Sequence, residues 1–330
     1  MNGPGPLRLK PLFLPKVWAA PDMAGDLGSV LGVGQGIGEV WLASDRSSVT
    51  PVAEGDPELV GMGLDRVMNL YGTWIKGSGA SQGFPLLLKL LNVGEWLSVQ
   101  VHPDDEAARR LENEPWGKTE AWLVLEALPG AEIILGVKPG HDRAAFERAI
   151  QQGRLPDLLA KVACNRDDVF YLPAGMVHAT GPGLVIFEIQ QPSDVTYRFY
   201  DWDRPGADGK LRPLHQEKAL EVMTLNGPGR AESPVAQPGG PGRENTQLLK
   251  GSYFSLNKTS LTEDAFQIWA DQIGLRVIFI LEGRGGLGFP GGEYPELEVK
   301  PGQTWLLPAG LPSCKLTAKT GKMVYLESRV

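Results

Sequence analysis

The chain has 330 residues, 42% of them hydrophobic and 22% charged, with a net charge of −7 and a pI near 5.3. That balance fits a globular protein of one or two domains and excludes a nucleic-acid binder working through a basic face. The two cysteines, Cys164 and Cys314, form no CxxC pair, no apolar run reaches the length of a bilayer span, and Met1–Lys10 lacks the apolar core of a signal peptide, so the expected setting is the cytoplasm, without disulfides or a membrane partner.

Taken from the N-terminus, the first notable segment is the glycine-rich run Gly32-Val33-Gly34-Gln35-Gly36-Ile37-Gly38. A phosphate-cradling glycine loop follows an apolar strand and opens a helix. No apolar strand precedes this run, and Glu39-Val40-Trp41-Leu42 after it reads as a strand, so a flexible loop is expected. Leu97, Val99 and Val101 alternate with Ser98, Gln100 and His102. Glu120, Trp122 and Val124 alternate with Ala121, Leu123 and Leu125, and Val185, Phe187 and Ile189 alternate with Ile186, Glu188 and Gln190. Successive strand side chains point to opposite faces, so each set predicts a strand.

Helices look few. One is expected over about 104–116, opened by Asp104-Asp105-Glu106 with Arg109 and Arg110 further along, the charge order a helix dipole favours. A second is expected within about 141–161, where Phe146, Ala149 and Ile150 keep helical spacing, and a third over Leu214–Met223. The class is therefore all-β with a few inserted helices, and the 42 glycines and 27 prolines are its turn residues.

Residues 226–245 (NGPGRAESPVAQPGGPGREN) are mostly Gly, Pro and polar and read as a linker between residues 1–225 and a smaller unit, 246–330. An internal echo relates the two. Leu172-Pro173-Ala174-Gly175 returns as Leu307-Pro308-Ala309-Gly310, offset by 307 − 172 = 135. Leu123-Val124-Leu125-Glu126 resembles Phe279-Ile280-Leu281-Glu282, offset by 281 − 125 = 156. The offsets differ by about the length of the helical stretch 141–161, which the second copy would lack. Where the first copy has His178, the second has Ser313, so only the first is expected to hold a metal.

The chemistry-bearing residues fall in three places. Ser98, Gln100 and His102 share a strand face, an unusual polar set between apolar neighbours. Lys118 and Glu120 share a second face, and His178 follows the tight turn Pro173-Ala174-Gly175. His102, Glu120 and His178 converging from separate strands would make three protein ligands with an open position. The remaining histidines differ: His141 beside a helix start is read as structural, and His215 as either a cap-like residue or the edge of a site.

Four blocks together resemble type I mannose-6-phosphate isomerase, most closely its short bacterial class: Phe84 to Arg110 (FPLLLKLLNVGEWLSVQVHPDDEAARR), Gly117 to Trp122 (GKTEAW), Asp168 to Ala179 (DVFYLPAGMVHA) and Phe187 to Asp201 (FEIQQPSDVTYRFYD). The resemblance spans about residues 8–225. It departs at Trp18-Ala19-Ala20, where the family has Trp-Gly-Gly, and is loose from 230 onward. It implies a zinc-dependent cupin: two jelly-roll barrels, with one zinc per chain held in the first by Gln100, His102, Glu120 and His178. It further implies an active-site arginine at Arg198, lysines at Lys89 and Lys118, and a carboxylate at Glu188.

These residues suit aldose–ketose isomerisation of mannose 6-phosphate and fructose 6-phosphate through an enediol. A proton must move between adjacent carbons, with Lys118 or Glu188 as base. Arg198 can meet oxyanion charge or phosphate with its planar fork, and Lys89 can add a point charge for the phosphate. An Fe(II) cupin oxygenase would use the same two-histidine, one-carboxylate set but has no general need of Lys89, Lys118 and Arg198. A non-enzymatic sugar-binding cupin is the other alternative, and turnover separates it.

Overall fold

The structure, a computed structural model, describes residues 3–77, 83–206, 208–225, 227, 229–269 and 274–330. Its strands form three antiparallel sheets. A six-stranded sheet runs in the order Val169–Leu172, Glu120–Ala127, Leu184–Gln190, Leu87–Val93, Ile37–Ala43, Leu12–Pro15. A five-stranded sheet runs Tyr197–Tyr200, Val99–Val101, His178–Thr180, Glu132–Val137, Leu159–Ala163. The ten-stranded sheet gathers the described strands from Val235 onward together with Leu7–Leu9 and Val52–Glu54.

The six-stranded sheet is the middle layer, which explains why Leu87–Val93 and Leu184–Gln190 are buried along their whole length. Each parity has its own partner. Leu88, Leu90, Ala121, Leu123, Phe187 and Ile189 share a core with Phe279 and Leu326 of the ten-stranded sheet. The rings of Phe187 and Phe279 stack at 5.8 Å between centroids; truncating such a buried ring to alanine typically costs about 3–5 kcal/mol. Leu91, Val93, Trp122, Val124 and Ile186 share another core with Ile133 and Leu135 of the five-stranded sheet. Lys89, Glu120 and Glu188 have that second parity, in register through Glu188↔Lys89, Glu188↔Trp122 and Gln190↔Glu120. Strand alternation alone therefore puts three charged side chains between two sheets.

The expected helices form at Asp105–Glu112, Arg143–Gln151 and Gln216–Val222. Asp104 and Asp142 cap the first two, accepting from Ala107 N at 2.8 Å and Ala145 N at 2.7 Å. A longer helix, Leu64–Lys76, is an addition to the sequence reading; it buries Leu64, Val67, Met68 and Ile75, a helical spacing legible in the sequence. The short helix Asp26–Leu31 is another. The glycine-rich run follows that helix, with Gly32 as its C-cap, and its last two residues, Ile37 and Gly38, open the strand Ile37–Ala43, so the run leads into a strand and not a helix.

The linker reading needs correction. Within 226–245, Val235–Gly240 is a strand paired with Arg243–Lys250. All six of its residues are exposed, and Pro238 is tolerated because this is a sheet edge. Nothing in its side chains needs burial, so composition could not reveal it. Leu7–Leu9 and Val52–Glu54 also cross the expected division at 226–245 to pair in the ten-stranded sheet. The internal echo has a structural counterpart: Val169–Leu172 and Thr304–Leu307 each end on Leu-Pro-Ala-Gly, and each pairs with the strand bearing the other echoed segment.

Candidate active site

Sheet register brings the first residues together. Both His178 and Arg198 pair directly with Gln100, so the three lie abreast on the five-stranded sheet. His102 follows the last residue of its strand, Val101. It is tied to the Pro173-Ala174-Gly175 turn by Gly175 N, which donates to His102 O at 2.9 Å. Gly175 has φ +85, and a Cβ there would also press on Thr224 and the Val222 carbonyl, so the turn requires glycine. Lys118 is fixed by its N–H donating to Pro103 O at 2.9 Å. Glu120, on the middle sheet, faces the two histidines.

The ligand atoms of His102, Glu120 and His178 lie within 4.8 Å of one another, and all three residues are buried. His178 Nε2 is 3.0 Å from Glu120 Oε1, and His102 Nε2 is 3.6 Å from Glu120 Oε2. The opposite ring nitrogens are committed: His102 Nδ1 meets Val195 O at 2.8 Å and His178 Nδ1 meets Met176 O at 2.9 Å. A carbonyl can only accept, so each Nδ1 carries a hydrogen and each Nε2 points inward. Burial, followed by the charge of Lys118, holds His102 well below the usual histidine range, so it is neutral. Burial would raise Glu120, but its charged surroundings, Lys118 first among them, outweigh it and hold the carboxyl well below the ordinary range. Two imidazole nitrogens and a carboxylate converge on one point, with the Lys118 ammonium beside them. The donor set therefore fits a divalent metal, with backbone carbonyls orienting the histidine ligands as metal sites require.

Gln100 borders this cluster. Its Nε2 is 3.3 Å from His178 Nε2, while its Oε1 accepts from Ser98 Oγ at 3.2 Å. Turning the amide end for end would present the oxygen as a fourth donor. Lys118 Nζ lies 2.9 Å from Glu120 Oε2 and 3.2 Å from His102 Nε2. Lys89 Nζ is 3.0 Å from Glu188 Oε1, and Trp122 Nε1 donates to Glu188 Oε2 at 2.7 Å. Burial opposes the charge on Lys89, but Glu188, Glu39 and more distant carboxylates raise it above the ordinary lysine range.

These groups line a cavity of about 310 Å³ that includes Gln100, Lys118, Lys89, Glu188 and Arg198 in its wall. The expected site residues are thus brought to one place. Glu39, Trp41, Asp194 and Arg212 also line it and were not anticipated. Glu39 and Trp41 share a strand parity, a signal that could have found them, and Trp41 Nε1 donates to Glu39 Oε2 at 2.7 Å. Arg212, from a loop, had no local signal. His141 is exposed. His215 occupies the cap position of Gln216–Val222, and its N–H donates to Arg198 O at 2.8 Å, so it borders the strand that carries the arginine.

Fold and donor set define a β-sheet protein with a buried metal-binding cluster next to a polar, cation-rich cavity. Residues 19–118 match the family model of the phosphomannose isomerase type I catalytic domain. The mannose-6-phosphate isomerase ManA of Bacillus subtilis is 35% identical over 320 residues, covering 94% of this chain and 95% of that protein. A crystal structure of mannose 6-phosphate isomerase from Bacillus subtilis superposes with TM-score 0.88 at 28% identity, covering 99% of this chain and 100% of that one. A more distant mannose 6-phosphate isomerase, solved with zinc bound, shares the fold at TM-score 0.71 and 14% identity, covering 99% of this chain and 100% of that one. The chain belongs to the type I mannose-6-phosphate isomerase family.

Proposed function

We infer that this chain interconverts mannose 6-phosphate and fructose 6-phosphate, with a phosphosugar as its small-molecule partner. The observation that carries the reading is a buried cluster of two histidines and one carboxylate that Gln100 and Lys118 join to a cavity lined by those two residues with Lys89, Arg198 and Arg212. An oxygenase has no use for so many cations, and a plain sugar-binding protein has none for a buried metal set. The activity for which the family is named agrees with the isomerase and favours it over both.

In this reading His102, Glu120 and His178, with Gln100 as fourth ligand, hold one zinc per chain. The ion, when bound, polarises oxygens on the two reacting carbons without redox change. The chain's own groups do the rest. Lys118 and Glu188 border the cavity and can carry the proton between adjacent carbons, and Lys89 holds Glu188 in place. Arg198 turns a guanidinium toward charge that grows as the enediol forms. The Pro173–Gly175 turn leads into His178, and Gly117, where a Cβ would meet the Asp104 backbone, lets the chain pass close before Lys118. The ten-stranded sheet is read as the core of a second barrel with no metal chemistry, and the chemistry belongs to residues before 226. Among the described residues no helix is long and apolar enough to cross a membrane; a cytoplasmic setting is part of the proposal.

The direct test incubates purified chain with mannose 6-phosphate and follows fructose 6-phosphate by a coupled assay. Turnover at an ordinary enzyme rate, about 1–10³ per second, is expected. Absence of turnover by zinc-loaded protein would remove the reading.

A further inference from the structure

The cavity's cations are not equivalent once their partners are counted. Lys16 Nζ lies 3.2 Å from Glu39, Lys89 lies 3.0 Å from Glu188, and Lys118 lies 2.9 Å from Glu120. Each lysine in the wall thus faces a carboxylate of its own, and together they offer an incoming anion little surplus charge. The surplus lies elsewhere. Arg204 and Arg212 converge on one carboxylate, the buried Asp201, with Arg198 beside them.

Arg204 has a second carboxylate in Glu95, whose Oε2 lies 3.3 Å away, so three guanidinium groups against two carboxylates leave a local excess of about one positive charge, to which a phosphate monoester would be drawn. The arrangement is directional. Arg204 is turned away, donating to Asp201 Oδ1 at 2.8 Å and Trp96 O at 2.8 Å. Arg212 gives Nε–H and one Nη2–H to Asp201, both at 2.6 Å, and it lines the cavity. A guanidinium has five N–H groups, so its remaining edge is free of Asp201 and held rigid by it. Arg198 Nε is buried with no hydrogen-bond partner among the described residues. Burial first, and then Arg212, push the Arg198 guanidinium below its usual range, as expected where two cations await an anion. Arg198 is in register with Gln100 and so stands at the metal end, whereas Arg212 enters from the loop beyond Pro205–Leu211.

We propose that Arg212, oriented by Asp201, anchors the substrate's phosphate group, leaving Arg198 to the reacting end of the sugar. This rests on the isomerase reading and deepens it: it fixes which way the sugar phosphate lies and moves the phosphate contact from Lys89, which Glu188 already holds. Arg212 is a binding residue and Asp201 a positioning residue for it.

The test is steady-state kinetics of zinc-loaded Arg212→Ala, with inorganic phosphate as a competitive inhibitor. KM for mannose 6-phosphate and the inhibition constant for phosphate should both rise at least about tenfold, because a charge-assisted fork is lost while kcat falls much less. Asp201 keeps Arg204 as partner, so the substitution leaves no buried carboxylate alone. Arg212→Lys guards against a folding failure: it keeps the charge, loses the two-point geometry, and should show a smaller rise in both constants. Asp201→Asn should raise the same two constants without touching zinc content. An unchanged phosphate inhibition constant in Arg212→Ala, a fall in kcat at constant KM, or a wild-type enzyme that phosphate does not inhibit would overturn the proposal. A wild-type protein that bound phosphate but did not turn over mannose 6-phosphate would sink the isomerase reading instead.

Discussion

Arg276 stands opposite Leu307 in the ten-stranded sheet as Glu120 stands opposite Leu172 in the six-stranded one. The two leucines open the repeated Leu-Pro-Ala-Gly segments, so a guanidinium replaces the carboxylate at the corresponding register position. Arg276 is buried, with Nε 3.4 Å from Glu327 Oε1. A cation fixed at that place, with Ser313 at the position matching His178, repels a metal ion rather than holding one. Elemental analysis should therefore find one tightly held ion per chain. A second, mapped beyond residue 246, would contradict the assignment.

His178→Ala removes one lone pair from the cluster and leaves Glu120 facing His102 and Lys118. Stoichiometric zinc and turnover should both be lost, since only one imidazole, one carboxylate and the weak Gln100 amide donor remain, a set unlike the ligands a catalytic zinc keeps. Circular dichroism should show the strands intact, because the ring lies at the site rather than in a sheet core. Normal zinc content with normal turnover would remove His178 from the ligand set.

Arg198→Ala should lower kcat by about 10²–10³, the usual loss for one donor aimed at developing oxyanion charge. Zinc content should stay at the wild-type level, because arginine is not a ligand. Lysine should rescue poorly, lacking the planar fork. Steady-state kinetics with metal analysis decide: raised KM at constant kcat would make Arg198 a phosphate contact and nothing more.

Cys164 is buried, and burial, then Asp168, push its thiol up to about 12. At pH 8 its thiolate fraction is then roughly a thousandfold below that of an ordinary cysteine, and the thiolate is the nucleophile. Iodoacetamide should leave native Cys164 unmodified at pH 8 and alkylate it readily in denaturant, as peptide mass analysis would report. Rapid alkylation in the native state would contradict the burial described for this strand end.

Much of the fold was legible because strand alternation and capping residues are local signals. The strands carrying Gln100, Glu120 and Glu188 were readable from period two, and Asp104 marked a helix start that formed. The polar set His102, Glu120, His178 stood out against apolar flanks, and family resemblance added Gln100, Lys89 and Arg198. What escaped was non-local. Arg212 reaches the cavity from a loop, and its meaning depends on Asp201 and Arg198, which only tertiary contact reveals. Val235–Gly240 bonds through its main chain at a sheet edge, so its Gly-Pro composition read as linker. Leu64–Lys76 had apolar residues at helical spacing and shows that a legible signal can still be passed over.

The central claim is that the cluster of His102, Glu120 and His178 is a metal centre on which isomerisation depends. Its most direct measurement strips the purified chain with a chelator and follows mannose 6-phosphate turnover as zinc is added back. Activity should vanish in the stripped protein and return in proportion to zinc, levelling off at one ion per chain. Full turnover by protein shown to be metal-free, or activity that climbs until a second ion is bound, would contradict the account.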